Sequence, residues 1–179
     1  MTYFEQVIEQ VNRKGTAVEL KFTVQIKIQK PVNDVFDAVY NPRKLSEYFT
    51  SGGSAGPLDE GKAVLWTFGD VASQTIKVPV KVQKTVQNRL IRFAWEASEG
   101  VYDPKAGSVP RPAGYDNIVE MSFEALNENE TLVKITESGW RFTEGGLQGS
   151  YQNCQGWMHM NCSLKAYLQY GIDLRKGSF

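Results

Sequence analysis

The sequence predicts an α+β domain in which a curved antiparallel sheet of about six strands wraps around one long C-terminal helix. Three observations lead to this prediction. Apolar and polar residues alternate in separate stretches between residues 18 and 140, two short helical stretches follow the first of these, and residues 145–171 have helical spacing. Strands with one apolar face need a cover, and only the last helix is long enough to supply it.

The first strand is predicted over residues 18–30, where apolar and polar residues alternate with a period of two. This is the period of a strand with one buried face, and it favours an antiparallel sheet. Two short helices follow. Pro31 suits the opening of the first, and Asn41-Pro42 ends it, because a residue before proline disfavours the helical region. The second is predicted over residues 43–48. The apolar positions of the strand are Val18, Leu20, Phe22, Val24, Ile26 and Ile28.

Five further stretches alternate in the same way and are predicted to be strands. They cover residues 63–69, 74–86, 89–97, 117–126 and 131–140. Pro79 predicts a sheet edge or a bulge in the second of them, because proline cannot donate to a strand ladder. Alternation places Val119, Met121 and Phe123 on the inward face of their strand.

The chain is predicted to form one domain over residues 1–179, since this length suits a single core. Residues 1–15 are expected to add an N-terminal helix, because apolar residues recur there at helical spacing. Residues 98–116 hold several prolines and glycines without periodicity, which predicts a loop insertion. Loops this long are often lids or binding loops, and a plain surface insertion is the alternative.

Composition argues against several functional classes. Basic and acidic residues each number 20, so the net charge is zero, whereas a general nucleic-acid binder more often has a basic excess. No apolar run approaches the roughly 20 residues that span a bilayer, and the N-terminus lacks the basic and apolar regions of a signal peptide. Cys154 and Cys162 would lie about 12 Å apart along one helix, too far for a disulfide. We therefore expect free thiols, a cytoplasmic location, no membrane insertion and no nucleic-acid partner.

The sequence contains no recognisable catalytic centre. Its only histidine, His159, is predicted to face away from the sheet, which disfavours a catalytic triad or a histidine metal site. It has no phosphate loop and no dinucleotide fingerprint. No catalytic residue, metal or cofactor is therefore predicted. Asp116, Glu120 and Glu137 could act as an acid or base, but single carboxylates on strands are usually solvated.

Three stretches carry a resemblance to a known family. They are "KPVNDVFDAVYNPRKLSEYF" after the first strand, "RLIRFAWE" after a lysine-rich strand, and "GW…LKAYLQYG" in the last helix. Together they resemble the helix-grip fold of the START-like superfamily, also called SRPBCC, which includes the birch pollen allergens. The chain looks most like the branch named after the activator of the heat-shock-protein-90 ATPase, over roughly residues 18–175. The resemblance implies a hydrophobic cavity between the sheet and the long helix.

The last helix has polar residues on the same face as its apolar ones. At about 100° per residue, Leu164 lies within about 20° of Trp157. By the same arithmetic, Ser150, Asn153 and Asn161 lie within about 40° of Trp157. An amide buried in packed hydrocarbon without partners costs about 1–3 kcal/mol, so we expect this face to meet water or a ligand. The alternative is that the first turns of the helix extend past the sheet into solvent.

These arguments predict a ligand-binding site with apolar walls and a few polar groups, which is the usual composition of such sites. The candidate residues on the strands are Trp66, Phe68, Trp95 and Met121, and those on the helix are Ser150, Asn153, Cys154, Trp157 and Asn161.

Three functions compete. The leading hypothesis is the binding of a small hydrophobic or amphipathic molecule in a cavity between the sheet and the C-terminal helix. The second is a protein-interaction or chaperone-regulator module, whose acidic partner would dock on Lys77, Lys81 and Lys84 of one strand. The third is an enzyme of the cyclase or hydrolase type, which requires a perturbed carboxylate inside the cavity. Ligand identity and oligomeric state are left open.

Overall fold

Each alternating stretch of the sequence forms a strand in the computed structural model, which describes residues 19–71, 74–100 and 111–178. The helix expected over residues 1–15 lies outside the described residues. In chain order the elements are β1 Leu20–Ile28, α1 Val32–Tyr40, α2 Pro42–Ser46, β2 Gly53–Ser54, β3 Ala63–Val71, β4 Gln74–Val86, β5 Leu90–Glu99, β6 Arg111–Asn127, β7 Glu130–Trp140 and α3 Glu144–Tyr170.

The strands form one antiparallel sheet in the order β1-β7-β6-β5-β4-β3-β2. The predicted sheet is thus confirmed, with six long strands and the two-residue β2 at one end. Register shifts interrupt every pair except β2–β3, and irregularities of this kind bend strands. The pairing of β4 with β5 spans Lys81 to Val86 and leaves out Pro79, which accords with the predicted local edge.

Strands β5 and β6 continue into the stretch predicted to be a loop. Ser98 pairs with Pro112 and Glu99 with Arg111, so both ends of the predicted insertion, residues 98–116, belong to the sheet. The alternation that marks a strand is lost there because proline, glycine and charged residues occupy the positions. Paired neighbours hold a strand in place even where its own sequence gives no periodic signal.

Helix α3 covers the apolar face of the sheet, and its ends follow local rules. The Thr143 hydroxyl accepts a hydrogen bond from the Gly146 backbone N–H at 3.0 Å, which caps the first turn. Gly171 ends the helix with a left-handed φ of 66°. No helix in the described part of the chain has both the length and the apolar content required to cross a membrane.

The core lies between the sheet and helices α1 to α3. The predicted inward residues Val119, Met121 and Phe123 are buried, as are Trp157 and Leu164 of α3. Cys154 and Cys162 are both free thiols, as predicted.

Candidate functional site

Glu137 on β7 points into the core. Residues along this strand alternate between buried and partly exposed, and Glu137 follows Val133 and Ile135 on the buried face. Its side chain is fully buried, with 0% exposure. The expectation that a single strand carboxylate is solvated is therefore wrong for Glu137. It holds for Asp116 and Glu120, which form exposed ion pairs with Lys81 and Arg92.

Four side chains donate hydrogen bonds to the Glu137 carboxylate. Oε1 accepts from Trp95 Nε1 at 3.2 Å, Asn117 Nδ2 at 2.9 Å and Asn153 Nδ2 at 3.0 Å. Oε2 accepts from Trp157 Nε1 at 2.6 Å. These donors come from β5, β6 and α3, so the carboxylate of β7 joins three strands to the covering helix. We call these five residues the Glu137 site.

All four donors are uncharged, and this determines the electrostatics of the site. Burial raises the pKa of Glu137 above its ordinary value of 4.5, and the hydrogen bonds, led by that from Trp157, offset only part of this rise. No ion pair found among the described residues includes Glu137. The neighbouring Cys154 thiol has a raised pKa, first because of burial and second because of the Glu137 charge. A thiol held neutral in this way is a poor nucleophile.

The raised pKa of Glu137 predicts a distinct pH dependence of stability. As the pH rises, the Glu137 carboxyl loses its proton near pH 4.5 in the unfolded chain and only at a higher pH in the folded chain. The contribution of Glu137 to stability is therefore complete below 4.5 and is lost as pH rises towards the folded pKa. We expect the unfolding free energy of the wild type minus that of Glu137→Gln to fall as the pH rises above 4.5. Urea unfolding across this range measures the difference, and a difference that rises with pH would contradict the raised pKa.

Two of the residues that donate to the carboxylate, Trp95 and Trp157, belong to a larger group of packed aromatic rings. We define the aromatic cluster as Phe49, Trp66, Phe93, Trp95 and Trp157. The Trp95 and Trp157 rings lie 5.1 Å apart at 33°, and Trp66 lies edge-on to Trp95 at 6.3 Å. Phe49 stacks on Trp157 at 5.7 Å and meets Trp66 edge-on at 5.5 Å. The cluster thus lies between β3, β5 and α3, in the region where the family resemblance implies a cavity.

Several buried polar atoms near this region have no hydrogen-bond partner among the described residues. They are Trp66 Nε1, Asn117 Oδ1, and both Nδ2 and Oδ1 of Asn161. Asn117 and Asn161 are fully buried. Buried polar groups are nearly always paired in folded proteins, so these unpartnered atoms are exceptions that need a physical explanation.

The structure brings together part of the predicted ligand site. Trp95, Asn153 and Trp157 contact Glu137, and Trp66 packs edge-on against Trp95. The Ser150 hydroxyl instead donates within its own helix to the Leu147 carbonyl at 2.8 Å. The other four candidates make no hydrogen bond to Glu137. Met121 and Phe68 are buried in the core, Cys154 is half-buried beside Glu137, and Asn161 is buried one turn beyond Trp157.

Sequence reasoning named Glu137 only as a possible acid or base, and it missed Asn117 and Phe49 as site residues. For Glu137 and Asn117 a signal was present, because each lies two residues from an inward apolar position on its strand. Phe49 follows α2 and had no comparable signal.

A concave region of the surface lies beside α1, and no residue of the Glu137 site lines it. It is an open groove of about 650 Å³, and none of the nine predicted ligand residues lines it. Its acidic side chains have partners. Asp37 pairs with Lys44 at 2.7 Å and Glu60 with Lys84 at 3.5 Å. The groove is lined by Asn33, Asp34, Phe36, Asp37, Tyr40, Asp59, Glu60, Thr85, Gln87 and Asn88.

Solved structures share this fold. Protein SSP2350 from Staphylococcus saprophyticus is 20% identical with a TM-score of 0.65, over 87% of this chain and 96% of that one. The Aha1 protein from Colwellia psychrerythraea, solved as a dimer, is 19% identical with a TM-score of 0.62, over 85% of this chain and 98% of that one. CalU16 from Micromonospora echinospora is 15% identical with a TM-score of 0.59, over 87% and 78% of the two chains.

Comparison with the curated proteins finds no match. A family model, in contrast, aligns with residues 29–169, from the end of β1 almost to the end of α3. This range contains every residue of the Glu137 site and of the aromatic cluster. The fold agrees with that of the START-like proteins, as the three resembling stretches predict. The chain therefore belongs to the family of Activator of Hsp90 ATPase homolog 1-like proteins.

Proposed function

We propose that this protein binds a small amphipathic molecule at the Glu137 site, between strands β5 to β7 and helix α3. The observation that carries the proposal is a fully buried carboxylate bound by two tryptophans of an aromatic cluster, near buried polar atoms that have no partner among the described residues. A purely structural core would more readily use apolar residues here, because each unpartnered polar group costs about 1–3 kcal/mol. Apolar and aromatic walls with a few convergent polar groups are typical of ligand sites.

Access to the site would come from the side of Trp95, Asn153 and Cys154. All three are half-buried, whereas Glu137 and Trp157 are buried. Trp95 and Asn153 contact the carboxylate directly. The carboxylate is thus separated from the surface by a single layer of side chains, and a ligand would reach it by displacing Trp95 or Asn153.

Native mass spectrometry of the purified protein tests this proposal, with the denatured mass as reference. We expect extra mass that disappears on denaturation. We also expect it to be reduced in Trp95→Ala, which removes the half-buried wall, and kept in Glu120→Gln, which changes an exposed carboxylate on β6. Extra mass that Trp95→Ala retains would place the ligand elsewhere, for example in the groove beside α1.

A second candidate is an acid–base enzyme of the cyclase or hydrolase type. The observation that favours it is the raised pKa of a buried carboxylate, which such chemistry requires. Binding is the better-supported function, because the four groups that donate to Glu137 are indoles and amides, which cannot exchange its proton.

The interaction-module hypothesis has less support. Lys81 pairs with Asp116 at 2.7 Å and Lys84 with Glu60 at 3.5 Å, so two of the three lysines already have acidic partners. A cytoplasmic location stays a prediction from the sequence.

A further inference from the structure

We propose that the Glu137 site selects ligands that carry a protonated amine, and that it discriminates against ligands that carry a carboxylate. This inference rests on the proposed function and names the chemical class of the ligand. Three features of the site support it: its charge, its unused acceptors and its aromatic faces.

The first feature is an uncompensated negative charge. When Glu137 is ionised, its four donors are two indoles and two amides, which stabilise the charge without neutralising it. Among the described residues, no lysine or arginine is one of the groups that act on this carboxylate. A buried charge without an opposite partner is costly. A ligand with a positive charge would therefore gain binding free energy from the ion pair that the protein itself does not form. A ligand carboxylate would instead place a second negative charge beside the first.

The second feature is the pattern of unused hydrogen-bond positions. A carboxylate has about four lone-pair sites, two on each oxygen. Three donors share the two sites of Oε1, whereas Oε2 accepts one bond, from Trp157, and keeps one site. Asn117 uses its amide N–H on Glu137, while its Oδ1 is buried without a partner among the described residues. Both of these positions next to Glu137 are acceptors, whereas the unpartnered Trp66 Nε1 and Asn161 Nδ2 farther from it are donors. An ammonium group has three N–H donors and no acceptor, so it matches the two positions next to the carboxylate.

The third feature is the orientation of the rings. Trp95 and Trp157 direct their N–H edges at the carboxylate, and their rings lie 33° from parallel. Trp66 is nearly perpendicular to Trp95, at 84°. Trp157 is packed between Trp95 and Phe49, so the partly exposed Trp95 is the indole whose face a cation would meet. Indole faces attract cations, and tryptophan is the strongest of the aromatic side chains in this respect. The protein already uses this interaction nearby, since the Arg175 guanidinium lies 5.2 Å from the Phe68 ring centre.

Three probes with one scaffold test the inference: 3-phenylpropylamine, 3-phenylpropanol and 3-phenylpropanoate. Binding is followed through the indole ¹⁵N–¹H NMR signals of the tryptophans, because these signals also detect weak binding. Trp→Phe variants assign each signal to its residue. On the wild type we expect the amine to bind at least about tenfold more tightly than the alcohol, and the carboxylate to bind more weakly than both. In Glu137→Gln we expect amine and alcohol to bind equally, while Glu120→Gln keeps the wild-type order.

The outcomes of these titrations distinguish the amine preference from the proposed binding function. Equal binding of amine and alcohol to the wild type, or tighter binding of the carboxylate, would overturn the amine preference and leave the proposed binding function intact. An amine preference that survives in Glu137→Gln would assign it to another group. No binding of any probe would count against both the inference and a ligand site at Glu137. The order of the three probes on the wild type decides the question even if Glu137→Gln does not fold.

Discussion

Replacing Glu137 with alanine is expected to lower the free energy of unfolding by about 2–5 kcal/mol, the largest effect of any single substitution that we predict. The carboxylate accepts four hydrogen bonds, and its removal leaves the donors of Asn117 and Trp157 buried without partners. Trp95 and Asn153 are half-buried, so water can replace part of what they lose. The substitution also removes Oε1, which accepts hydrogen bonds from β5, β6 and α3 and so links these elements.

Urea unfolding followed by far-ultraviolet circular dichroism measures this loss. The matched control is Glu120→Ala on the outer face of β6, where the carboxylate is exposed, and we expect a change within about 0.5 kcal/mol. If Glu137→Ala is as stable as the control, the four hydrogen bonds contribute no net stability, and the carboxylate is retained for its function alone.

Gly149→Ala is expected to destabilise the protein by about 1–3 kcal/mol, although alanine is the better helix former. An added Cβ at this position would lie 2.5 Å from the Ser98 carbonyl oxygen and 2.7 Å from Cζ3 of Trp140. Ser98 is part of the β5 ladder and cannot move aside. The close approach of helix and strand therefore requires glycine.

Gly156 provides the opposite control on the same helix. A Cβ there would have no neighbour within 4 Å, so Gly156→Ala is expected to stabilise the protein by up to about 1 kcal/mol. Urea unfolding of both variants gives the comparison. If both substitutions stabilise, the packing of α3 against β5 is looser than the structure indicates.

The fold could be predicted from the sequence because its signals are local. The period of two in β1, the Asn41-Pro42 break and Gly171 after α3 each depend on a few adjacent residues. The helix wheel also placed Trp157 and Asn161 on the buried face correctly.

The centre of the site was harder to predict because it depends on residues far apart in the chain. The donors of Glu137 come from positions 16, 20 and 42 residues away. Strand alternation alone would have turned Glu137 inward, since it follows Val133 and Ile135. The general expectation that carboxylates are solvated outweighed that signal, and only the indole and amide donors from other elements make the burial tolerable.

The pairing of the first strand with the last has a consequence for how the chain folds. Thr131 on β7 donates a hydrogen bond to the Lys30 carbonyl after β1, across 101 residues of sequence. Pairings of this kind form late and slow the folding of a domain, because a long loop must close first. During synthesis, the apolar face of β3 to β6 would stay uncovered until α3 has emerged. A nascent chain that stops before Asn153 would already hold Glu137 in its sheet, without the two helix donors that its carboxylate needs.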